Sequence, residues 1–413
     1  MSPFRVVVAP DKFKGSLSAD EVAAVLGQAL GRPPGVEVVQ HPVADGGEGT
    51  VALALSVGFE AVDVTVSGPL GDPVEATFAI RDEVAILEMA AAAGLGLLPG
   101  PPDVRTARSA TTRGVGELIL AAAERGATRI VVGAGGSAST DGGAGALRAM
   151  GVDLMPADGS PRRLDQRPTC LDPRLAEVNL VVASDVDNPL LGPAGAASVF
   201  APQKGADAAT VAALEHRLED WAATVAATTG ADLRDLPGGG AAGGLAFGLA
   251  AVGGARLVPG AALLLELTGF DRLVRTADLV IVGEGSLDAQ SLRGKGPIGV
   301  ARATSQHDVP VIAVAGRNEL QEGDWRDAGL RAVYSLTDLE DDPEICMQDA
   351  RRLLCELASS IADDWLPRRP GGPCAVASST LGSPDQTPPT AQEYRAALLS
   401  TLDPDPNPAQ ESD

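Results

Sequence analysis

Short apolar runs that each end in a polar, glycine-containing loop recur along this chain, and they constrain its fold more than any other feature. The first two predict strands over residues 5–9 and 36–43, with a helix over residues 19–30 between them. Ser18 and Glu21 have the spacing of a capping box at the start of that helix, and Gly31 can end it. Strand, loop and helix in succession favour an α/β layer architecture.

The middle of the chain has a different pattern, in which strand-like runs come close together as in hairpins. The closely spaced runs are residues 62–66, 76–80 and 84–87. Two later runs, residues 129–133 and 180–184, end in polar, glycine-bearing loops. Leu214, Leu218, Trp221 and Val225 then follow helical spacing. The α/β alternation returns at residues 278–283, 309–315 and 331–335.

This order predicts a doubly wound α/β domain assembled from both chain ends, residues 1–62 and 275–366. A second α/β domain is predicted as an insertion over residues 63–274. Nine prolines among Ser, Thr, Asp and Gly predict a disordered tail over residues 367–413, with room for a short helix over residues 391–402.

The composition excludes several classes of protein. A formal net charge of -23 argues against a nucleic-acid or anionic-membrane partner. The cysteines and histidines show no CxxC, HxxH or HExxH grouping, which argues against a disulfide framework and a zinc enzyme. The apolar run at the start is too short for a signal peptide, and the uncharged stretch 236–255 is a Gly- and Ala-rich packed segment rather than a membrane span. We therefore expect a cytoplasmic protein.

All four lysines, Lys12, Lys14, Lys204 and Lys295, lie in polar segments that contain glycine, while arginines supply the remaining positive charge. A compact, strongly hydrated ammonium differs from the planar arginine fork, and phosphate contacts are one place where that difference matters. Three of the four lysines are followed directly by glycine. The alternative is that Lys-Gly turns are common surface features and four residues are a small sample.

In open α/β sheets, ligands bind beyond the carboxyl ends of the strands, so the loops there are the candidate sites. The first loop carries Asp11, Lys14 and Ser16 just before a helix, which suits an anionic ligand. The alternative is that its serines only cap the helix and its lysines are only solvated. Residues 45–49, beginning with Asp45, form a second such loop.

The run 133–143 includes Gly135, Gly136 and Ser137, which let backbone N–H groups and hydroxyls approach a phosphate or carboxylate closely. The run also matches GxGxxA after a strand, the weak half of a dinucleotide fingerprint. No acidic residue ends a following strand at the expected distance, which disfavours NAD. Glycine used only for tight packing is the other interpretation.

Two later loops carry charge. Asp185 and Asp187 follow an apolar strand and offer the hard oxygen ligands that Mg²⁺ prefers, although Pro189 also fits a plain Asx turn. Lys204 follows soon afterwards. The segment with Gly283, Gly285 and Asp288 leads to Lys295, but Ala289 and Gly296 break the Walker pattern, and the HRD and DFG signatures of protein kinases are absent from the sequence.

Six segments, in this order, resemble the bacterial glycerate kinase family often called type I. They are APDKFKGSLSA from Ala9, VADGGEGT from Val43, GGSASTDGGAGAL from Gly135, ASDVDNPLLGPAGAASVFAPQKGA from Ala183, GGGAAGGLAFGL from Gly238 and GEGSLDAQSLRGKGPIGVA from Gly283. The likeness spans about residues 4–366, and residues 158–173 are shorter than the usual family stretch.

The resemblance implies a flavodoxin-like domain from the two chain ends and an inserted α/β domain. It also implies phosphorylation of D-glycerate by ATP with Mg²⁺, at the 2-hydroxyl to give 2-phosphoglycerate and ADP, with 3-phosphorylation as the alternative. The expected partners are small molecules, and the expected state is a monomer or homodimer. A dinucleotide-dependent oxidoreductase and a non-catalytic metabolite sensor are the rival classes.

The resemblance also suggests roles for the candidate residues. The catalytic set is Lys14, Asp187 and Lys204, with Asp185 and Asp187 as metal ligands. The substrate set is Asp11, Ser16, Asp45 and Arg113. The nucleotide set is Gly135, Gly136, Ser137, Gly283, Gly285, Asp288 and Lys295.

Overall fold

The computed structural model describes residues 3–43, 46–154, 171–289, 291–293 and 296–367. Contacts divide the chain into two compact units, which we call the terminal unit (Met1–Val43 and Ala262–Asp413) and the inserted unit (Ala44–Ala261). The domain boundaries predicted after residues 62 and 274 lie farther along the chain than these junctions and stay a prediction. The predicted tail helix at residues 391–402 lies outside the described residues.

Strands and helices alternate along much of the chain. The strands are β1 (Phe4–Pro10), β2 (Val36–Gln40), β3 (Glu60–Ser67), β4 (Pro73–Arg81), β5 (Val84–Glu88), β6 (Arg129–Gly133), β7 (Asn179–Ala183), β8 (Arg256–Val258), β9 (Leu279–Leu287), β10 (Val311–Asn318) and β11 (Ala332–Ser335). The helices are α1 (Ala19–Leu30), α2 (Thr50–Ser56), α3 (Ala90–Ala93), α4 (Val104–Ser109), α5 (Arg113–Glu124), α6 (Ala144–Ala149), α7 (Ala196–Phe200), α8 (Ala208–Thr229), α9 (Ala241–Ala251), α10 (Gly260–Leu267), α11 (Phe270–Val274), α12 (Gly296–Thr304), α13 (Glu322–Asp327), α14 (Pro343–Gln348) and α15 (Ala350–Trp365).

The terminal unit contains a parallel sheet in the order β11-β10-β9-β1-β2. Numbered within this unit alone, the order is 2-1-3-4-5, which is the flavodoxin-like doubly wound order. The fold class predicted from the sequence is therefore confirmed. In such sheets the direction of winding reverses between the first and third strands, here β1 and β9, and ligands bind beyond the carboxyl ends at that point.

Both faces of the terminal sheet are covered, and its central strand β1 is apolar at successive positions from Val6 to Ala9. Val6 and Val8 belong to a core with Leu26 of α1 and Leu354 of α15. Val7 points the other way, into a separate core that also contains Ile298 of α12. This continuous apolar pattern is typical of a parallel strand buried between two helical layers. Each fully buried Val or Leu contributes roughly 1.5–3 kcal/mol.

The inserted unit contains a mixed sheet in the order β3-β4-β5-β6-β7-β8. The first three strands pair antiparallel, as the closely spaced runs predict, and β5 through β8 pair in parallel. Glu88, Gly133, Ala183 and Val258 are register partners across the carboxyl ends of the parallel strands. The loops that follow these four residues therefore leave the same edge of the sheet.

The sequence predicts the ends of a helix or strand correctly where residues next to each other in the chain determine them. The helix over residues 19–30 has the predicted bounds, and both hydrogen bonds of its Ser18–Glu21 capping box are present. The strand predicted to reach residue 43 ends at Gln40. The uncharged stretch forms α9, which is buried through Leu249 as expected of a packed segment. Within the described part of the chain, every helix is too short or too polar to cross a membrane.

Candidate functional site

In the terminal unit, the loop after β1 lies beside the end of β9. The backbone N–H of Asp11 donates to the carbonyl of Gly283 at 2.8 Å. Phe13 and Leu17 then close a tight turn in which Lys14 is exposed. A Cβ placed on Gly285 would lie 3.0 Å from the backbone nitrogen of Lys14. The structure therefore brings Asp11, Lys14, Gly283 and Gly285 together at the point where the winding of the sheet reverses.

Two predicted residues of the first loop contact other segments of the terminal unit. Asp11 accepts a hydrogen bond from the backbone of Lys12 at 2.6 Å, and a Cβ on Gly296 at the start of α12 would lie 3.5 Å from the Asp11 carboxylate. Ser16 Oγ donates to the carbonyl of Met347 at 2.8 Å. The Ser16 hydroxyl proton is thus used within the protein, and its oxygen remains an acceptor.

The sequence predicts that the strand beginning at residue 278 ends at Gly283 and that a loop follows, and this prediction is wrong for Gly285. Strand β9 continues through Leu287 because it pairs with β10 as far as Asn318, well beyond its pairing with β1. Asp288 then forms a turn with Ser291, whose backbone N–H lies 3.3 Å from the Asp288 carboxylate. The buried Ser291 hydroxyl donates to Glu284 at 2.6 Å.

The extension of β9 has a cation beside it that the sequence did not single out. Arg317 is the register partner of Ser286, and its Nε donates to the Ser286 hydroxyl at 3.0 Å. A strand pairing between residues far apart in sequence is needed to place Arg317 here, and no motif marks it. Lys295 and Asp45, two further predicted site residues, lie outside the described residues.

In the inserted unit, two glycine-rich loops cross the carboxyl edge of the sheet in close contact. A Cβ on Gly135 would lie 2.4 Å from the Cα of Gly47, so only glycine fits at this crossing. The backbone N–H of Ala134 donates to the carbonyl of Ala183 at 3.0 Å, which joins the second loop to the end of β7. Gly136 is exposed and Ser137 is 7% exposed.

Backbone N–H groups in or next to each of these glycine-rich loops donate to a carboxylate of the protein. Glu88, at the end of β5, accepts from the backbone N–H groups of Gly49 and Val51 at 3.0 and 2.8 Å. Asp141 accepts from the backbone of Thr112, before α5, at 2.9 Å and from Gly143, before α6, at 3.1 Å. The backbone N–H groups at the starts of α2, α5 and α6 thus bind carboxylates of the protein. An acidic residue at the end of a parallel strand, or before paired glycines, is the signal that could have identified both.

Lys204 is almost completely buried, with 2% of its surface exposed. Its Nζ donates to Ser137 Oγ at 2.7 Å and to the carbonyl of Ser139 at 2.6 Å. Burial lowers the pKa of Lys204 to about 7, and the nearby charge of Asp141 acts in the opposite direction. Lys204 and Ser137, two of the predicted site residues, are therefore in direct contact, and the ammonium faces the protein interior.

Asp185 and Asp187 follow β7 at the same edge. The Asp185 carboxylate accepts from the backbone N–H of Ala261 at 3.2 Å, whereas Asp187 is exposed. Within the described residues, no group of three or more His, Cys, Asp or Glu side chains could form a protein-only metal cage. One or two carboxylates completed by substrate phosphates are the usual magnesium arrangement, so this pair fits Mg²⁺.

Arg113, the predicted carboxylate-binding residue, is the first residue of α5. Its Nε donates to Glu117 at 2.8 Å in an exposed ion pair. Glu117 also accepts from the backbone N–H of Ser67 at 2.7 Å. Arg113 therefore lies next to Thr112 and the Asp141 network, with part of its charge directed along its own helix.

A sequence model of a family described as the glycerate kinase family matches residues 6–366. The chain is 42% identical over 374 residues to a glycerate kinase of Bacillus subtilis (strain 168), an alignment that covers 86% of this chain and 97% of the relative. It is 39% identical over 372 residues to the glycerate 2-kinase of Escherichia coli (strain K12), covering 87% and 97%.

A crystal structure from Salmonella typhimurium LT2, provisionally named glycerate kinase 2, has the same overall fold. Its TM-score with this chain is 0.67 at 36% sequence identity, and the match covers 87% of this chain and 99% of that one.

Proposed function

Because the chain belongs to the glycerate kinase family, we propose that it transfers the γ-phosphoryl group of ATP to the 2-hydroxyl of D-glycerate, giving 2-phosphoglycerate and ADP. The observation that carries this proposal is the family match over residues 6–366, which contains all six motif segments in order. The chain is an enzyme of the kinase class, and its substrates are small molecules.

Phosphoryl transfer depends mainly on positioning the reactants and neutralising developing charge, so cations and directed N–H and O–H groups are the useful parts. In the terminal unit, we assign Lys14 to phosphoryl charge, because it is exposed at the reversal point of the sheet. Gly283, Gly285 and Asp288 are assigned to nucleotide phosphates together with Lys295. Asp11 and Ser16 are assigned to glycerate.

In the inserted unit, Gly135, Gly136 and Ser137 are assigned to anionic oxygens of the nucleotide. Asp187 is assigned to accept the proton of the substrate hydroxyl or to hold Mg²⁺ with Asp185, because its carboxylate is exposed at the end of β7. Mg²⁺, when bound, would offset negative charge on phosphate oxygens. Arg113 and Asp45 are assigned to the glycerate carboxylate and hydroxyls. We further propose a cytoplasmic monomer or homodimer.

The test is NMR of the product formed from D-glycerate and Mg-ATP. Transfer to the 2-hydroxyl predicts phosphorus coupling to the single C2 proton, whereas 3-phosphorylation would couple phosphorus to the C3 methylene protons. Folded protein that forms no ADP in a glycerate-dependent manner, with several divalent metals and nucleotides tried, would refute the assignment. Binding of glycerate or ATP without turnover would favour a metabolite sensor.

A further inference from the structure

Side chains from one later segment of the inserted unit, residues 204–221, donate hydrogen bonds to the loop over residues 134–143. Lys204 donates to the carbonyl of Ser139 at 2.6 Å, and Arg217 Nη2 donates to that of Thr140 at 2.6 Å. Trp221 Nε1 donates to the carbonyl of Gly142 at 2.9 Å. Three donors from residues 204–221 therefore fix three carbonyls within four consecutive residues of the loop.

Lys204 differs from the other two donors because it also contacts a side chain. Two of its three ammonium N–H groups are directed at Ser137 Oγ and Ser139 O. Since 2% of the residue is exposed, almost none of its surface is left for a ligand arriving from solvent. A lysine that binds phosphate directly needs an accessible ammonium, so the geometry assigns Lys204 a different task.

Ser137 is the residue on which that task converges. Its Oγ accepts from the ammonium, so the hydroxyl hydrogen must point away from Lys204. Its backbone is fixed as well, by a bridge to Gly94 and by the bond from Ala138 N–H to the carbonyl of Ala93 at 2.8 Å. A hydroxyl that accepts from a cation becomes a better donor, because hydrogen bonds in a chain polarise one another.

We propose that Lys204 is a positioning residue that acts through Ser137, orienting its hydroxyl to donate to an anionic oxygen of a bound substrate. This inference rests on the proposed function, because it takes the loop at residues 135–137 to be part of the substrate site. It replaces the simple interpretation in which the Lys204 ammonium itself neutralises a phosphate.

A double-mutant cycle tests the proposal. Ser137→Ala and Lys204→Met should each lower kcat/KM by about tenfold or more, and the double variant should be no more than about threefold worse than Lys204→Met alone, because both changes remove one interaction. If the loss of kcat/KM in the double variant equals the product of the two single losses, Lys204 acts independently of Ser137, and the proposal is overturned. Separate KM values for ATP and glycerate identify which anionic oxygen Ser137 contacts.

Gln203→Met is the matched control, since it places the same side chain at the neighbouring exposed position and should retain wild-type kinetics.

Amide hydrogen exchange without substrate provides a second readout, in which Lys204→Met should raise exchange over residues 135–142 more than elsewhere. Unchanged exchange there, or normal turnover by folded Lys204→Met, would contradict the proposal. If Lys204→Met does not fold, Ser137→Ala alone still tests the proposal, because normal kcat/KM in that folded variant would contradict it. Failure of the wild type to phosphorylate glycerate would instead overturn the proposed function, and the exchange experiment would still test the hold on the loop.

Discussion

Lys14 in the terminal unit and Lys204 in the inserted unit share one sequence signature and have opposite surroundings. Each is followed by a glycine with a left-handed backbone, Gly15 at φ 81° and Gly205 at φ 93°. Lys14 is exposed, whereas Lys204 is 2% exposed. A Cβ on Gly15 would meet nothing within 4 Å, but one on Gly205 would lie 2.3 Å from the backbone of Asp103. The Lys-Gly pair therefore marks a backbone turn, and packing decides what the lysine does.

The glycine-rich loops of the two units differ in a related way. In the inserted unit, Glu88 and Asp141 accept hydrogen bonds from backbone N–H groups in or near the loops that the sequence predicts to bind a ligand. In the terminal unit, the exposed Lys14 lies beside the end of β9, where doubly wound sheets bind their ligands. A glycine-rich loop allows another group to come close to its backbone, and that group can be a side chain of the same protein instead of a ligand.

The largest effect should be on the free energy of unfolding, which substitution of Lys204 should lower far more than substitution of Lys14. Lys204→Ala should lower the free energy of unfolding by about 3 kcal/mol, because it leaves a cavity and removes the donor from two buried acceptors. Lys14→Ala should change that free energy by less than about 0.5 kcal/mol, as for an exposed side chain. Denaturant unfolding of both variants beside the wild type measures the difference.

Activity completes this test of the lysine comparison. Lys14→Ala should lower kcat/KM by at least about tenfold while its unfolding midpoint stays unchanged, because we propose that the lost charge acts on the transferring group. Equal destabilisation by the two substitutions would mean that Lys14 is a packed residue as well. Wild-type kinetics in Lys14→Ala would remove it from the proposed site.

The sequence predicted those parts of the fold that neighbouring residues determine. The capping box at Ser18 and the helical spacing through Val225 both correspond to observed helices, and Arg129–Gly133 is a strand with the predicted bounds. The extension of β9 to Leu287 could not be predicted this way. It depends on pairing with β10, and in the sequence Gly283 and Gly285 favour a loop over a strand.

The site was less predictable because its contacts join distant residues. Lys204 is hydrogen-bonded to a serine 67 residues earlier, and Glu88 to the backbone of Gly49, 39 residues earlier. Neither separation has a local pattern, so the sequence could place Lys204 in a polar loop without showing that its ammonium points inward. The grouping of polar loops at the carboxyl ends of strands was predictable, because parallel pairing fixes it.

A second prediction concerns Asp187, the exposed carboxylate at the edge where the lysine is buried. If this edge contributes chemistry through Asp187 while Lys204 acts through Ser137, Asp187→Asn should lower kcat/KM by at least about a hundredfold, or about 2.7 kcal/mol. Thermal unfolding should change little. Asp220→Asn, at an exposed position on α8, is the matched control and should behave as wild type.

A magnesium titration separates two roles for Asp187. A metal ligand predicts that Asp187→Asn needs more Mg²⁺ for half-maximal rate, whereas a general base predicts a lower kcat without that shift. Near-normal turnover in Asp187→Asn would remove Asp187 from the proposed site and leave Ser137 as the proposed substrate contact at this edge.

Each unit also contains a buried ionisable nitrogen, and the two titrate in different pH ranges. In the terminal unit, His41 Nε2 lies 2.9 Å from Thr268 Oγ1, whose own hydrogen goes to the carbonyl of Leu264, so the ring donates as the neutral form. Burial lowers the pKa of His41 from 6.5 to about 4, as burial lowers that of Lys204 from 10.5 to about 7. Both folded-state values are below the ordinary ones. The folded protein therefore loses stability as pH falls through two ranges. His41 causes the loss between about pH 6.5 and pH 4, and Lys204 causes it between about pH 10.5 and pH 7.

The last predicted effect is a loss of stability at acidic pH. Between pH 7.5 and 5, His41 should cost the folded state about 2 kcal/mol, because the unfolded chain binds a proton that the buried ring resists. His41→Gln removes this titration and should flatten the pH dependence of the unfolding free energy by that amount, whatever its effect at neutral pH. The exposed His216, substituted in the same way, serves as the control and should leave the wild-type curve unchanged. Equal curves for wild type and His41→Gln would mean that the ring accepts its proton inside the fold. The contrast between the two buried nitrogens would then be limited to the alkaline range set by Lys204.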